Sequence, residues 1–343
     1  MQRNSRNASR SRPWRKKWAS GITGVRVGVS WASVVRHAAE RNGTKAMTSA
    51  IHTEKLTKDY GAGRGIFALD LEVSEGEVFG FLGPNGAGKT TTIKLLMGLT
   101  HATHGSATVF GLDADREAVA VKHRVGYVPG ELPQFGGWRG SEIVAYIAGL
   151  RGDIDDAEVE AIAKRLDLDL GRKYREYSHG NKQKLALLLA FTPKPALLIL
   201  DEPTSGLDPL HQQEFYRLVR DARTRGATIF ISSHVLSEVE QICDRVGIVR
   251  EGHLATVGTL DELTGIRAHR VRIEFADAPP AERLRSLNGF EGLAIDGRQV
   301  TGLYRGSFDE LLGAIAGARV ATLESREPTL EEVFLSYYSG ATK

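Results

Sequence analysis

The sequence contains one cysteine, Cys243, among 343 residues, and no uninterrupted apolar run that approaches the length of a membrane span. A lone thiol excludes an intramolecular disulfide and is typical of a chain kept in a reducing compartment. A spanning helix needs about 20 predominantly apolar residues, so we expect no segment of this chain to cross a bilayer by itself. The content of 41% hydrophobic and 25% charged residues is instead typical of a soluble globular protein, and the length suggests about two domains.

Acidic residues are scarce in residues 1–46, which carry eleven basic side chains and a single acidic one, Glu40. This segment therefore contributes a charge of +10, and because the whole chain carries +3, the remainder carries −7. An acidic body argues against a surface that binds DNA or RNA. We therefore expect no nucleic-acid partner.

Residues 1–46 are rich in Arg, Ser and Asn and show no sustained period, which predicts disorder. Three interpretations of this leader remain open: a targeting peptide, a basic arm that contacts anionic lipid, and a segment upstream of a true start at Met47. We favour the third, because organised sequence begins directly after Met47. The leader has no part in the predicted fold.

Apolar runs and 3.6-residue periods alternate from Ile51 to Val257. Continuous apolar runs such as Ala196–Leu200 are typical of strands buried on both faces, so the alternation predicts an α/β domain with a mostly parallel sheet. We place this domain at residues 47–262, with a helical subdomain at about 136–191. Residues 265–343 mix strand and helix patterns, which predicts a small accessory α+β domain.

The stretch Val78–Thr92, VFGFLGPNGAGKTTT, organises the chain. Its start predicts a buried strand and Thr91–Leu99 predicts a helix, which is the strand–GxxxxGK[ST]–helix context of a phosphate-binding loop. Backbone N–H groups of such a loop surround phosphate oxygens, while the lysine reaches the β- and γ-phosphates and the hydroxyl ligates Mg²⁺. We therefore predict a nucleoside triphosphate site formed by Gly83, Pro84, Asn85, Gly86, Ala87, Gly88, Lys89, Thr90 and Thr91.

Three polar residues follow apolar strands further along the chain. Asp201 ends a buried strand, where a carboxylate is costly unless it meets a cation, so we expect Asp201 and Thr90 to hold Mg²⁺. Glu202 points elsewhere and is the candidate general base that polarises the attacking water. His234 follows the strand Thr228–Ser232 at the end of the sheet where ligands gather, which favours a γ-phosphate contact.

With these motifs in this order, the chain resembles the nucleotide-binding subunits of ATP-binding cassette (ABC) transporters over about Ile51–Val257. The motifs that carry the resemblance are Tyr60 at the adenine-stacking position, Gly83–Thr91 as Walker A, Ser178–Asn181 as the signature, Leu197–Asp201 as Walker B with Glu202 following, Ser205–Asp208 as the dimer loop, and His234 as the switch histidine. The implied fold is the P-loop NTPase cassette, with an antiparallel N-terminal β part and a helical subdomain. The C-terminal domain, ending in Pro328–Leu335, is similar to that of ABC-2-type drug and polysaccharide export subunits.

The resemblance implies an ATPase whose two copies sandwich two ATP molecules. Each site would combine residues of both copies: Lys89, Asp201, Glu202 and His234 from one, and Ser178 and Gly180 from the other, with Asp208 of the dimer loop also at the nucleotide. The subunit would be a peripheral protein at the cytoplasmic face of the membrane. It would power export of a drug, antibiotic, lipid or polysaccharide through a multi-helix permease in a separate chain, docked against the helical block Ser141–Phe191.

The signature departs from the family pattern. It reads YSHGNKQ over Tyr177–Gln183 rather than containing Leu-Ser-Gly-Gly-Gln. Ser178 and Gly180, the groups expected to clamp phosphate, are retained, and similar variants occur among ABC-2-type subunits.

A second departure follows the triplet Tyr-Val-Pro, where the family's Q-loop glutamine is replaced by Gly130. Glycine can neither ligate Mg²⁺ nor orient water, so we hypothesise that Glu131 or Gln134 takes its place.

Two other functions are alternatives to transport. An ABC ATPase acting on ribosomes or DNA typically has two cassettes or long coiled-coil insertions, which this sequence lacks, and a regulatory nucleotide switch is hard to reconcile with the intact Glu202.

Overall fold

A computed structural model describes residues 49–152, 154–264 and 269–326 of the chain. The predicted leader at residues 1–46 and the predicted closing helix Thr329–Tyr338 lie outside these residues. Within the described ranges, every helix falls short of the length or the hydropathy that a bilayer span requires. The described residues form three β-sheets and the helices associated with them.

The first sheet is antiparallel, and its strands come from both sides of the phosphate-binding motif in the chain. Its strand order is β2-β1-β4-β5, with bounds β1 Ser49–Asp59, β2 Gly65–Ser74, β4 His104–Val109 and β5 Leu112–Asp113. The β1–β2 pair has three register shifts. Despite these irregularities, the two strands stay paired up to Asp59 and Gly65, on either side of the loop that carries Tyr60.

The second sheet has the strand order β10-β9-β3-β8-β7-β6. Its strands are β3 Val78–Leu82, β6 Val125–Val128, β7 Leu197–Asp201, β8 Thr228–Ser233, β9 Arg245–Arg250 and β10 His253–Thr259. All neighbours pair in parallel except β9 and β10, which form an antiparallel hairpin. The expectation of a mostly parallel core sheet with an antiparallel N-terminal part is therefore confirmed.

The core lies on both faces of this second sheet, which explains why its central strands are apolar throughout. In β3, Val78 and Leu82 belong to one hydrophobic cluster, whereas Phe79 and Phe81 belong to the cluster on the opposite face. Every residue of β3, β7 and β8 is buried. A strand covered on both faces has no polar side to present to water, so the usual alternation disappears.

Helices cover the two faces of the second sheet and build the block between β6 and β7. Those nearest the sheet are α1 Lys89–Leu96, α2 Ala118–Arg124, α6 Pro209–Thr224, α7 Leu236–Ile242 and α8 Leu260–Thr264. The helical block contains α3 Gly140–Arg151, α4 Asp156–Arg165 and α5 His179–Phe191, with a 3₁₀ turn at Tyr174–Glu176. All three of its α-helices fall within the predicted range 136–191.

The helical block begins at Gly140, one residue before the expected Ser141. Arg139 is at the N-cap of α3, and Glu142 closes a reciprocal capping box onto Arg139. The apolar stretch Val121–Val128 is divided between two elements, because its first residues finish α2 and only Val125–Val128 enters the sheet.

The third sheet belongs to the C-terminal part and is antiparallel, with the order β12-β13-β11-β14. Its elements are β11 His269–Phe275, α9 Ala281–Ser286, β12 Phe290–Asp296, β13 Gln299–Tyr304, α10 Phe308–Ile315 and β14 Val320–Arg326. Side chains of β11 alternate between buried and exposed, and the buried ones join a separate small core with Leu284 of α9 and Leu311 of α10. This alternation is the one expected of a sheet covered on one face.

Candidate functional site

The phosphate-binding motif forms a loop between β3 and α1, and its glycines are required by close contacts. A Cβ at Gly83 would lie 2.5 Å from the Val249 carbonyl oxygen, and one at Gly88 would lie 2.6 Å from Ile66 Cγ2. Gly88, at the N-cap of α1, also has φ +110°, a conformation that side chains strongly disfavour. The helix begins at Lys89 rather than at the expected Thr91, so Lys89 and Thr90 form its first turn.

Lys89 is held inside the loop that it belongs to. Its side chain is only 6% exposed, and Nζ donates to the carbonyl oxygens of Gly83 at 2.7 Å and Pro84 at 3.3 Å. The same Nζ lies 3.2 Å from Glu202 Oε1. A buried ammonium is thus placed in the mouth of the loop, next to the N-terminus of α1, where both charge and backbone donors favour an anion.

Asp201 at the end of β7 and Thr90 in the first turn of α1 meet, as expected. Thr90 Oγ1 donates to Asp201 Oδ2 at 2.8 Å, and Ser232 Oγ of β8 donates to Asp201 Oδ1 at 2.5 Å. Asp201 is fully buried. Burial of Tyr127, on the neighbouring β6, and the nearby charge of Asp201 raise the pKa of the Tyr127 hydroxyl to about 12.

These oxygen donors fit Mg²⁺, which prefers a few carboxylate and hydroxyl ligands completed by phosphate oxygens and water. The described residues contain no cluster of three His, Cys, Asp or Glu side chains able to hold a metal by themselves. A cation between Thr90 and Asp201 would therefore depend on the oxygens of a bound nucleotide.

Glu202 lies between Lys89 and His234. Its Oε2 is 2.7 Å from His234 Nδ1, while its buried Oε1 accepts no hydrogen bond from any described residue and has the Lys89 ammonium as its ionic neighbour. The backbone has φ +50° at Glu202, and its N–H donates to the Ser232 carbonyl at 3.2 Å. This turn after β7 directs Glu202 away from the Asp201 side, as the sequence predicted. A buried carboxylate oxygen without a donor is available to accept one from a ligand.

Two supporting residues of this site were not predicted. Ser232 fixes Asp201, and Gln183 of α5 donates through Nε2 to the Pro203 carbonyl oxygen at 2.9 Å, which holds the turn after Glu202. Ser232 had a signal in the sequence, since it is a polar residue at the carboxyl end of an apolar strand. Gln183 had none that separates it from other helical glutamines.

The signature and the dimer loop contact each other within one chain. Ser178 caps α5 and its Oγ accepts from the Asn181 N–H at 3.2 Å. A Cβ at Gly180 would lie 2.6 Å from the Gly206 carbonyl oxygen, and one at Gly206 would overlap the His179 ring. Ser178 and His179 are exposed. The two motifs therefore form one continuous surface with exposed donors at a helix start.

Asp208 joins the dimer loop to α5 through a chain of side chains. Its Oδ1 accepts from the Leu210 and His211 N–H groups, which makes it the N-cap of α6. Its Oδ2 is 2.6 Å from His211 Nδ1, and His211 Nε2 is 2.8 Å from Lys184 Nζ. Hydrogen bonds from His211 lower the pKa of Asp208.

The structure gathers part of the predicted site and leaves the rest apart. The loop 83–91, Asp201, Glu202 and His234 meet at the carboxyl ends of the parallel strands. Within the described ranges, no hydrogen bond or ion pair joins that loop to the other candidates, Tyr60, Ser178, Gly180 and Asp208. Tyr60 is exposed, with the Lys58 ammonium 5.4 Å from its ring centroid.

A groove of about 590 Å³ opens beside the site, between α1, the loop after β6 and the helical block. Its apolar lining includes Met97, Leu99, Phe135, Leu185 and Leu189. Its charged lining is Lys94, Lys122, Arg151, Lys182 and Glu131. Thr90 and Gly130 also line the groove, so it reaches the proposed Mg²⁺ site.

Comparison with known proteins gives one consistent result. A family model described as ABC transporter matches residues 66–205. The chain is 39% identical over 234 residues to the bacitracin transport ATP-binding protein BcrA of Bacillus licheniformis, covering 67% of this chain and 75% of BcrA. It is 34% identical over 301 residues to the daunorubicin resistance ATP-binding protein DrrA3 of Streptomyces coeruleorubidus, covering 84% of this chain and 95% of that protein.

A solved structure of an ATP-binding subunit of an ABC transporter superimposes with a TM-score of 0.59 at 28% identity. The superposition covers 63% of this chain and 92% of the solved one. That share of this chain is about the size of the part that contains the first two sheets and the helical block.

Proposed function

The chain belongs to the ABC transporter family of ATP-binding proteins and is an ATPase, and from this premise we propose that it powers export through a separate membrane-embedded permease. The observation that carries the proposal is the meeting of Lys89, Glu202 and His234 beside the Thr90–Asp201 pair. Drug or antibiotic export is the favoured activity, because the relatives are named for bacitracin transport and daunorubicin resistance. Its expected place is the cytoplasmic face of the membrane.

The residues of the site divide the work of hydrolysis. The loop N–H groups and Lys89 bind the phosphates, and Lys89 exchanges its carbonyl partners for phosphate oxygens. Thr90 and Asp201 would hold Mg²⁺, which when bound neutralises charge on the β- and γ-phosphates. Glu202, with one oxygen open, orients water and accepts its proton, and His234 positions Glu202 and contacts the γ-phosphate.

The second half of each site comes from another copy of the chain in this proposal. Ser178 and Gly180 are exposed or half-exposed at the start of α5, and neither bonds to the phosphate loop of its own chain in the described residues. Helix starts with free donors bind phosphate oxygens well. An ATP sandwich between two copies would bring these donors to the γ-phosphate.

The groove beside Thr90 is the expected docking surface for the permease. Four basic side chains and one acidic one surround its apolar floor, whereas the chain beyond residue 46 is acidic overall. A short amphipathic segment with an apolar face and carboxylates would match both features. Docking there would place the permease against the helical block Ser141–Phe191, the same surface that we propose from the sequence.

The test is co-purification of the tagged chain with its partner in mild detergent, combined with charge reversal. Lys94→Glu changes an exposed groove cation, and Lys164→Glu is the matched control on the outer surface of α4. We expect a stoichiometric multi-helix membrane protein with wild type and with the control, and its loss with Lys94→Glu while ATPase activity is unchanged. Recovery of ribosomes or nucleic acid instead would contradict transport.

A further inference from the structure

Gly130 lies against the carboxylate of Asp201. A Cβ built at Gly130 would be 2.7 Å from Asp201 Oδ2 and 3.1 Å from Asp201 Cγ. Real Cβ atoms do not approach oxygen this closely, so any side chain at this position requires one of the two groups to move. The replacement of the family's glutamine by Gly130 therefore does more than remove a metal ligand, because it also makes room for the Asp201 carboxylate.

The carboxylate has little freedom to move away. Asp201 is fully buried at the end of β7, which lies between β8 and the edge strand β6. Each of its oxygens accepts a hydroxyl hydrogen bond, Oδ2 from Thr90 and Oδ1 from Ser232. Rotating the carboxylate to make room for a Cβ would break the bond to Thr90.

In the part of the chain that the structure describes, no hydrogen bond or ion pair joins Asp201 to Glu131 or Gln134, the two candidates to replace the glutamine. Glu131 is exposed and lines the groove, and Gln134 is exposed further along the same loop. Among the described residues, the hydrogen bonds to the Asp201 carboxylate come from Thr90 and Ser232. The loop after β6 thus meets the site through its backbone.

We infer that Gly130 is a positioning residue: its missing side chain lets the loop after β6 rest on Asp201, so that the carboxylate itself fixes the loop and the groove wall beyond it. Gly130, Glu131, Leu132, Pro133 and Phe135 all line the groove. A displacement of Asp201 toward or away from Thr90 is therefore transmitted to that wall by direct contact. The inference rests on the proposed nucleotide site, which supplies the reason for Asp201 to move.

The contact is tested first without metal or nucleotide, by a double-mutant cycle on thermal unfolding of the full chain. Gly130→Ala should lower the melting temperature on the order of 3 °C, the size expected of about one overpacked methyl group. The same change in an Asp201→Ala background should cost nothing, because the clashing oxygen is gone. Gly137→Ala is the matched control, since its added Cβ meets nothing within 4 Å.

An equal loss in both backgrounds, or failure of both Gly130 variants to fold, would overturn the inference. If Gly130→Ala folds only in the Asp201→Ala background, the inference is supported, because the same contact then decides folding. None of these readings depends on ATP binding.

The link to the nucleotide is tested by titrating a fluorescent non-hydrolysable ATP analogue with Mg²⁺ and with EDTA. We expect Gly130→Ala and Gly130→Gln each to weaken Mg²⁺-dependent binding by about tenfold, as for other residues that orient a metal ligand, and to leave binding in EDTA unchanged. Tighter Mg²⁺-dependent binding by Gly130→Gln would refute the inference. Failure of wild type itself to bind would instead refute the proposed site.

Discussion

Glu202 is the residue on which the proposed chemistry depends most, because it combines an open carboxylate oxygen with two oriented neighbours. Glu202→Gln keeps the shape and the proximity of His234 but cannot accept a proton. We expect the ATPase rate to fall by about 10²- to 10⁴-fold, the usual contribution of a general base, with ATP binding retained. Single-turnover hydrolysis of radiolabelled ATP measures the rate, and equilibrium binding of the same nucleotide measures retention.

Glu75→Gln is the control for this substitution, since Glu75 is an exposed glutamate in the turn before β3. Its rate should equal that of wild type. If the Glu202→Gln variant hydrolysed ATP at the wild-type rate, a group other than Glu202 would have to accept the proton of the attacking water. That result would not support the regulatory-switch alternative, because hydrolysis would continue.

At the scale of single residues, the sequence predicted the groups that meet a ligand better than the groups that hold them. Asp201 and Glu202 were readable because a buried apolar run ends at them, and such a run fixes where its end lies in the sheet. Ser232 and Gln183 come from β8 and α5, and their contacts depend on strand order and helix rotation. The close approach of Gly130 to Asp201 likewise depends on a loop path that no local pattern encodes.

Among the elements, α5 and α6 are joined through the Lys184–His211 contact. Lys184 is only 7% exposed, and burial lowers the pKa of its ammonium even though Asp208 and Asp167 act in the opposite direction. Lys184 Nζ donates to His211 Nε2, so the histidine is the hydrogen-bond acceptor for the buried ammonium. Loss of the histidine would leave that donor unpaired.

We therefore expect His211→Ala to destabilise the chain by about 1–3 kcal/mol, the cost of an unsatisfied buried polar group. Lys184→Met should cost less, since the half-exposed His211 keeps Asp208 as a partner. The double variant should recover part of the loss of His211→Ala. Urea unfolding measures all three, with Gln213→Ala on the exposed side of α6 as control. Additive losses would contradict a direct link between the two helices.

The elements themselves were predicted with different success according to their environment. Strands buried on both faces stood out as apolar runs, and β3, β7 and β8 lie where those runs are. The helix α2 was missed because it is short and β6 follows it without a loop. The apolar residues of the two elements form one stretch, in which the spacing changes from that of a helix to that of a strand within eight residues. The start of α3 was misplaced because Arg139, an uncommon N-cap residue, is closed by Glu142, whereas Ser141 had the better capping propensity.

For the whole molecule, the central sheet joins two hydrophobic clusters that no single element could bury alone. Cys243 lies in the first cluster at the end of α7, close to β3, where a Cβ added to Gly80 would be 3.1 Å from its Sγ. Burial, with the neighbouring Asp244, raises the pKa of this thiol well above its ordinary value. The single thiol of the chain therefore reports on the integrity of the central sheet.

Two results should follow for unfolding. The native thiol keeps its proton where an unfolded one, with an ordinary pKa near 8.5, loses it. The contribution of Cys243 to stability is thus complete below about pH 8.5 and declines as pH rises toward the raised pKa, by about 2 kcal/mol at pH 10. Urea unfolding of wild type and Cys243→Ala at pH 7.5 and pH 10 should show this extra loss in wild type alone.

Thiol labelling gives an independent check of the same burial. Cys243 should react with a maleimide only as fast as the sheet opens, so its rate should rise with urea in step with global unfolding. A cysteine placed at the exposed Gln134 position of the Cys243→Ala chain should react at once in native buffer. Rapid labelling of native Cys243 would mean that α7 detaches from β3 without unfolding of the sheet, and the central sheet would then be less cooperative than its two-sided core implies.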